Sequence, residues 1–303
     1  MSMANYDKNK GESYDFIGKF VNGFAVVGIN MKSSLSASRF NFIDEKGHLV
    51  SNQWFEDCSD FVNDYAKIKL HGKWNFINEK GEYVSRKWFS CCDNFHEGLA
   101  KVCVGDKVNF IDVNGNYIGR KWFDDASYFH DGFAMITKNG KQNYINQKSE
   151  YVSKKWYDYC DDEFNEGFAV IIDYNNGYNF INEKGEIAFD QWFDYSWRFK
   201  EGVAKVCVGD KFNFIDKDGN YISDQWFDYT SDYCNEFILV KQNDKWNFID
   251  KEGKLLSEKW FRHACPFEEN GFAKVISNDN DLFIDKKGIL YKEVKIYEPI
   301  EIK

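Results

Sequence analysis

Apolar residues run through the chain in short stretches, partly alternating at period two and separated by polar segments rich in Gly, Asp and Asn. Between Gly98 and Phe129 the pattern is typical. Leu99-Ala100-Lys101-Val102-Cys103-Val104 reads as a strand, Gly105-Asp106 as a turn, and Lys107 to Asp112 as a second strand. Asp112-Val113-Asn114-Gly115 turns the chain again, Tyr117 to Phe123 reads as a third strand, and an acidic linker leads to the next Gly. No helical i, i+3, i+4, i+7 stripe of useful length occurs and β-formers dominate, so the pattern predicts a three-stranded antiparallel meander.

This unit recurs along the chain. Asn-Phe-Ile starts at Asn41, Asn75, Asn109, Asn179, Asn213 and Asn247, with a Tyr variant at Asn143 and a degenerate copy at Leu282. The intervals are 34, 34, 34, 36, 34, 34 and 35 residues. Trp54, Trp88, Trp122, Trp156, Trp192, Trp226 and Trp260 keep the same period, each followed by Phe or Tyr. A period of 34 also suits helical repeats, but the strand pattern within the unit excludes them. One unit buries too few large side chains, at about 1.5–3 kcal/mol each, to offset about 1 kcal/mol or more of ordering entropy per residue. Its aromatics must therefore pack on neighbouring units, and the Trp series is assigned to that inter-unit core.

The predicted fold is all-β: a tandem array of eight units of ~34 residues, each three-stranded and antiparallel. Residues 1–22 form a leader, 23–293 a single repeat domain and 294–303 a tail. An open twisted solenoid or superhelix is preferred, because three strands fall short of the usual four-stranded propeller blade. The alternative is a closed propeller-like ring, in which leader residues Tyr14-Asp15, the counterpart of Phe123-Asp124, complete a last unit that stops near Tyr291.

Asp or Asn stands three residues before Gly at Asp44, Asn78, Asp112, Asn182, Asp216, Asp250 and Asp285. Such a pair suits a turn in which the Asx side chain accepts backbone N–H groups and Gly takes a positive φ. A calcium loop, suggested by Asp216-Lys217-Asp218-Gly219, is disfavoured because Phe227 stands where the bidentate Glu is required.

The segments Lys73-Trp74-Asn75-Phe76-Ile77-Asn78-Glu79-Lys80-Gly81 and Lys245-Trp246-Asn247-Phe248-Ile249-Asp250-Lys251-Glu252-Gly253 resemble WG-repeat (KWG-type) proteins, over about residues 14–293. The Gly of the family's Trp-Gly pair is Asn here in seven copies, and its Trp survives only at Trp74 and Trp246. Ser-x-Lys/Gln-Trp replaces the family's Pro-containing stretch. The resemblance implies a tandem β-repeat and carries over no catalytic residue.

Composition narrows function by exclusion. The 39 Lys and Arg against 49 Asp and Glu give a net charge of −10, which argues against general nucleic-acid binding. No apolar run is long enough to span a bilayer, and the Lys/Asn-rich start has no secretory core, so a cytoplasmic location is expected. Cys58, Cys92 and Cys160 share a position filled elsewhere by Ala126, Ser196, Thr230 and Ala264, which selects a small side chain. With no Cys-x-x-Cys, reduced structural cysteines are expected, and Cys91 reads as an exposed free thiol. Neither cysteines nor histidines form a metal or nucleophile–base pattern, so no cofactor, no metal and no enzymatic activity are expected.

Positions that depart from the repeat are the better guide to function, since repeated positions are explained by packing. Arg86-Lys87, Arg120-Lys121 and Lys154-Lys155 precede the marker Trp in three consecutive units, whereas Asp190-Gln191, Asp224-Gln225 and Glu258-Lys259 do so later. Trp197, with Arg198 beside it, is a Trp outside repeat register, where other units carry Ser59, Asp93, Ser127, Asp161 and Ser231. The sequence thus points to a non-enzymatic scaffold that binds a protein partner through loops and these variable positions. Glycan or small-ligand binding in aromatic clefts between repeats is the alternative. A long first hairpin loop from Asn30 to Ser38 and an alternating tail from Val294 are further departures.

Overall fold

A computed structural model describes residues 14–30, 38–277 and 280–292. Residues 31–37 of the first hairpin loop and the tail 294–303 fall outside the described residues. The fold is all-β. Eight separate antiparallel sheets follow one another along the chain, and none closes into a barrel. They divide into two compact units of four sheets each, the first ending at Trp156 and the second starting at Tyr157.

The fourth sheet shows the plan. Asp125–Ala126 pairs with Phe133–Lys138, which pairs with Lys141–Asn146. Asn139 and Gly140 join the two long strands with φ of 52° and 74°, the consecutive positive values of a two-residue turn matched to strand twist. The meander thus differs in phase from the sequence expectation. The third ladder strand is the short Asp125–Ala126, placed in the expected acidic linker. The expected third strand, Tyr117 to Phe123, touches its neighbour only through two isolated bridges, Ile111 to Tyr117 and Val108 to Phe123.

The reason lies in chain length and one side chain. Two residues separate Val108 from Ile111, but five separate Tyr117 from Phe123, so the returning segment bulges away and leaves edge groups unpaired. Asn109 fills the gap. Its Oδ1 accepts from the Phe110 N–H at 2.7 Å and its Nδ2 donates to the Gly119 carbonyl at 3.1 Å. The same double bond recurs at Asn41, Asn75, Asn143, Asn179, Asn213 and Asn247, each donating to the carbonyl ten residues on. All seven are almost fully buried. A buried polar side chain is tolerated because both ends are satisfied.

Either side of the Asn, the strand serves two cores. Phe110 packs into a cluster with Phe123, Ala126, Phe129, Ala134 and Ile136 of the next repeat, whereas Ile111 packs with Phe89, Phe95, Ala100 and Val102 of its own. The inter-repeat core is therefore built from Phe. Phe55, Phe89, Phe123 and Phe227, which follow the marker Trp, are fully buried. The Trp series is only half-buried; Trp88, Trp122, Trp156 and Trp226 stand edge-on to a Tyr of their own repeat at 5.0–5.5 Å. Trp covers the rim of the core that the sequence assigned to it.

The Asx turns form as expected: Asp216 Oδ1 accepts from the Asp218 and Asn220 amides at 2.9 and 2.8 Å. Gly253, at φ 78°, also brings its turn against the preceding repeat, where an added Cβ would lie 1.7 Å from the Ile222 carbonyl oxygen. Between the third and fourth repeats the small residue changes sides. Ser149 takes the Gly position at φ 61° and faces Gly119, which replaces the usual Ser. The Asp of the aromatic-Asp pair caps the hairpin tip of its own sheet: Asp124 accepts from the Asn139 amide at 2.6 Å and Asp228 from the Asn243 amide at 2.7 Å.

At the chain start, Phe16–Ile17 pairs with Val27 and Gly28 inside the first sheet. The last sheet gains a fourth strand of its own, Leu290–Tyr291. The leader strand on which the ring alternative rested is thus spent where it starts. Cys91 is not a free thiol: it lies opposite Cys103 on paired strands and forms a disulfide with it. Cys207 repeats Cys103 but stands opposite Tyr195, so spacing alone did not reveal the pair.

Replacing Asn75 by Ala strands the Phe76 N–H and the Ser85 carbonyl in the interior, and the expected loss is about 1–3 kcal/mol of unfolding free energy by chemical denaturation. Gly253→Ala is expected to destabilise more than Gly23→Ala, measured by thermal melting. Both sites have a positive φ, but an added Cβ at Gly23 meets nothing within 4 Å.

Candidate functional site

The first unit gathers part of the basic series. Arg86, Lys87 and Arg120 line one hollow of about 1210 Å³ together with Tyr83, Tyr117 and Trp122, and no carboxylate lines it. The segments before the marker Trp place them there, because Ser85 Oγ accepts the Lys87 amide and fixes the bulged return. Lys87 Nζ sits 4.2 Å from the Tyr117 ring centre, close enough for a cation–π contact. Arg86 and Arg120 are exposed and make no ion pair among the described residues. Lys121 turns instead onto Tyr151 at 3.8 Å and donates to the Ser149 carbonyl. Lys154 and Lys155 are exposed outside the hollow. The three acidic counterparts all belong to the second unit.

The second unit holds a cleft of about 650 Å³ that includes Trp197 and Arg198. Three departures from the repeat create it. In the third repeat, Asp93 pairs with Lys101 at 3.1 Å. In the fifth, Val170 stands in place of that Lys. Arg198 of the sixth repeat reaches back to Asp161 through two guanidinium nitrogens and to Asp162 at 2.7 Å. Trp197 then occupies the Asp93 position, and Lys205 lies 4.6 Å from its ring centre while donating to the Thr230 carbonyl at 3.1 Å.

Electrostatics follow from this exchange. Burial pushes the Asp161 carboxyl above its ordinary value, and the Arg198 guanidinium pulls it part of the way back. Burial lowers the Lys205 ammonium. The charge of Arg198 is taken up by Asp161 and Asp162, with Glu163 at 3.8 Å. Trp197 remains 41% exposed and lines the cleft. Two polar atoms in the lining, Ser196 Oγ and Asn165 Nδ2, are buried without a hydrogen bond among the described residues.

Sequence reasoning singled out Trp197 and Arg198 but missed Asp161, Asn165, Ser196 and Lys205. A signal existed: the single 36-residue interval includes the extra acidic residue Glu163, beside the Lys-to-Val change at Val170. Burial pushes the thiols of Cys58 and Cys92 up to about 12, which makes them poor nucleophiles, whereas Cys234 is exposed. Among the described residues no group of three or more His, Cys, Asp or Glu is placed to hold a metal ion, and no helix is long and apolar enough to cross a membrane.

Residues 42–74, 76–107, 110–141, 180–212 and 214–246 each match the WG containing repeat, together more than half of the chain. The chain belongs to that family. Within this WG-repeat protein, the Asn that replaces the family's Gly supplies the buried pair of hydrogen bonds in seven of the eight repeats. No curated protein matches the chain. Among solved structures it is similar to BamB from Moraxella catarrhalis at 9% identity, covering 91% of this chain and 94% of that one with a TM-score of 0.32. A eukaryotic initiation factor is similar at 12% identity, with 96% and 90% covered and a TM-score of 0.39. The computationally designed Ika8 protein is similar at 10% identity, with 95% and 98% covered and a TM-score of 0.33. Nothing about function follows from likenesses this distant.

Arg198→Ala leaves the Asp161 carboxylate buried without its counter-charge, with an expected loss of about 1–3 kcal/mol at neutral pH, discounted for the exposure of Arg198. Folded Asp161 already holds its proton to higher pH than the unfolded chain, so its contribution to stability falls as pH rises through that window. Removing Arg198 raises the folded value further. The penalty is therefore expected to shrink as pH falls through the carboxylate range, in denaturation curves of both proteins over a pH series.

Proposed function

We propose that this protein is a non-enzymatic scaffold that binds a protein partner carrying an acidic segment, through the hollow of the first unit. The observation that carries this reading is the lining of that hollow: three cations and three aromatic rings with no carboxylate, in a chain of net charge −10. Local positive charge in an acidic protein steers an anionic partner and rejects like-charged competitors. Exposed Arg beside aromatic rings is also the composition of binding hot spots. The reading is non-catalytic because the groups with displaced pKa values have structural partners or are masked: Asp161 is held by Arg198, Lys205 by a carbonyl and a ring, and the Cys58 and Cys92 thiols by burial.

The test is affinity capture from the source cells, with the wild type and the Arg86→Glu/Arg120→Glu double variant run side by side. Both substituted positions are exposed, so the variant is expected to melt with the wild type. The expected result is a salt-sensitive protein partner whose affinity drops about tenfold or more on charge reversal. The same partner held equally by both proteins would contradict the reading.

A further inference from the structure

The cleft of the second unit has a chemistry of its own. Its walls are aromatic: Tyr159, Tyr178 and Trp197 toward the outside, Phe199, Phe214 and Tyr233 beneath. Two of its three cations are already occupied. Arg198 is neutralised by Asp161 and Asp162, while Lys205 is half-buried, bonded to the Thr230 carbonyl and laid over Trp197. The third, Lys200, is exposed and donates to the Tyr233 carbonyl at 3.5 Å, and the exposed Asp232 carboxylate lines the same cleft, so an anionic ligand finds little net positive charge. A purely apolar ligand fits no better, because it would cover the exposed Lys200 ammonium and Asp232 carboxylate without pairing them. The exposed Asp232 carboxylate adds an acceptor at the rim.

The geometry points to a binding site for a neutral oligosaccharide in this cleft. A pyranose ring offers an apolar C–H face to an aromatic platform and a rim of hydroxyls, each able to donate and accept, which matches a cleft walled by Tyr159, Tyr178 and Trp197 with the exposed Asp232 carboxylate and Lys200 ammonium in its lining. The volume of about 650 Å³ has room for roughly two or three sugar rings. Beyond the cleft the same unit carries Tyr195 and Tyr229 at the repeat position of Tyr159, at 55%, 46% and 45% exposure respectively. The second to fourth repeats have Asp57, Cys91 and Asp125 at that position. One exposed ring per repeat gives a longer sugar chain further platforms outside the cleft. This site goes beyond the partner-binding reading and does not depend on it.

The test is a glycan array probed with the intact protein, followed by calorimetry with the best neutral oligosaccharide on it. The expected result is saturable binding that is unaffected by NaCl and by Arg86→Glu/Arg120→Glu, and that weakens about tenfold or more in Trp197→Ala. Because Trp197 also covers Lys205, Asp232→Ala serves as a second variant that leaves the aromatic walls intact, and it too is expected to weaken binding. No saturable binding to any neutral glycan overturns the proposal, as does affinity unchanged in both variants. Preference for acidic sugars with strong salt dependence, or competition by a nucleoside or a peptide in place of a sugar, overturns it as well.

Discussion

Seven buried asparagines hold the returning segments of the first seven repeats to the edges of their sheets. The ladder on that edge is interrupted because five residues must run alongside two. The gap is closed by a side chain that accepts one backbone amide and donates to one carbonyl. An unpaired edge of this kind would otherwise bury orphan backbone groups or invite pairing with another chain. Once the return is fixed, the Phe after the marker Trp is delivered into the next core, and the next short edge strand begins two residues later. Sheet, turn and inter-repeat packing all depend on that latch.

The same constraint separates structure from recognition. Positions tied to the latch, the turn and the Phe core recur with little freedom, so chemical variety collects at the edge strands and at the dipeptide before Trp. In the first unit the variable dipeptides bring three cations around one hollow. In the second unit Val170 replaces a Lys, Arg198 holds the buried Asp161 carboxylate, and Trp197 stands beside an aromatic cleft. Each site arises from substitutions at a few repeat positions, while the buried Asn and the Phe after the marker Trp are kept.

Much of this was legible in the sequence because periodicity reports packing directly. The Asn-Phe-Ile and Trp-Phe spacing placed eight β-units, and the Asx-Gly spacing placed their turns. The phase of the meander was not legible. Tyr117 to Phe123 looks like a strand by composition, and only the five-against-two mismatch with its neighbour shows that it must bulge. Likewise, Trp122 looked like the core residue by size, although Phe123 beside it fills the interior and Trp122 the rim. Trp197 and Arg198 stood out because they break the repeat. Lys205 and Asn165 did not, since a Lys at the Lys205 position also occurs at Lys67, Lys101 and Lys274, and the linker position of Asn165 varies throughout. The Cys91–Cys103 pair needed the strand register, which no spacing rule supplies.

The central claim, that the Asn side chain stands in for the missing ladder, is tested most directly by site-resolved amide hydrogen exchange. The amides of Phe42, Phe76, Phe110, Tyr144, Phe180, Phe214 and Phe248 each donate to an Asn Oδ1 and not to a strand. If the latch closes the edge, these amides exchange as slowly as those of the central strand of their own sheet, since both open only with the unit as a whole. Exchange at the rate of the exposed turn amides would show that the returning segment detaches freely, and would contradict the account.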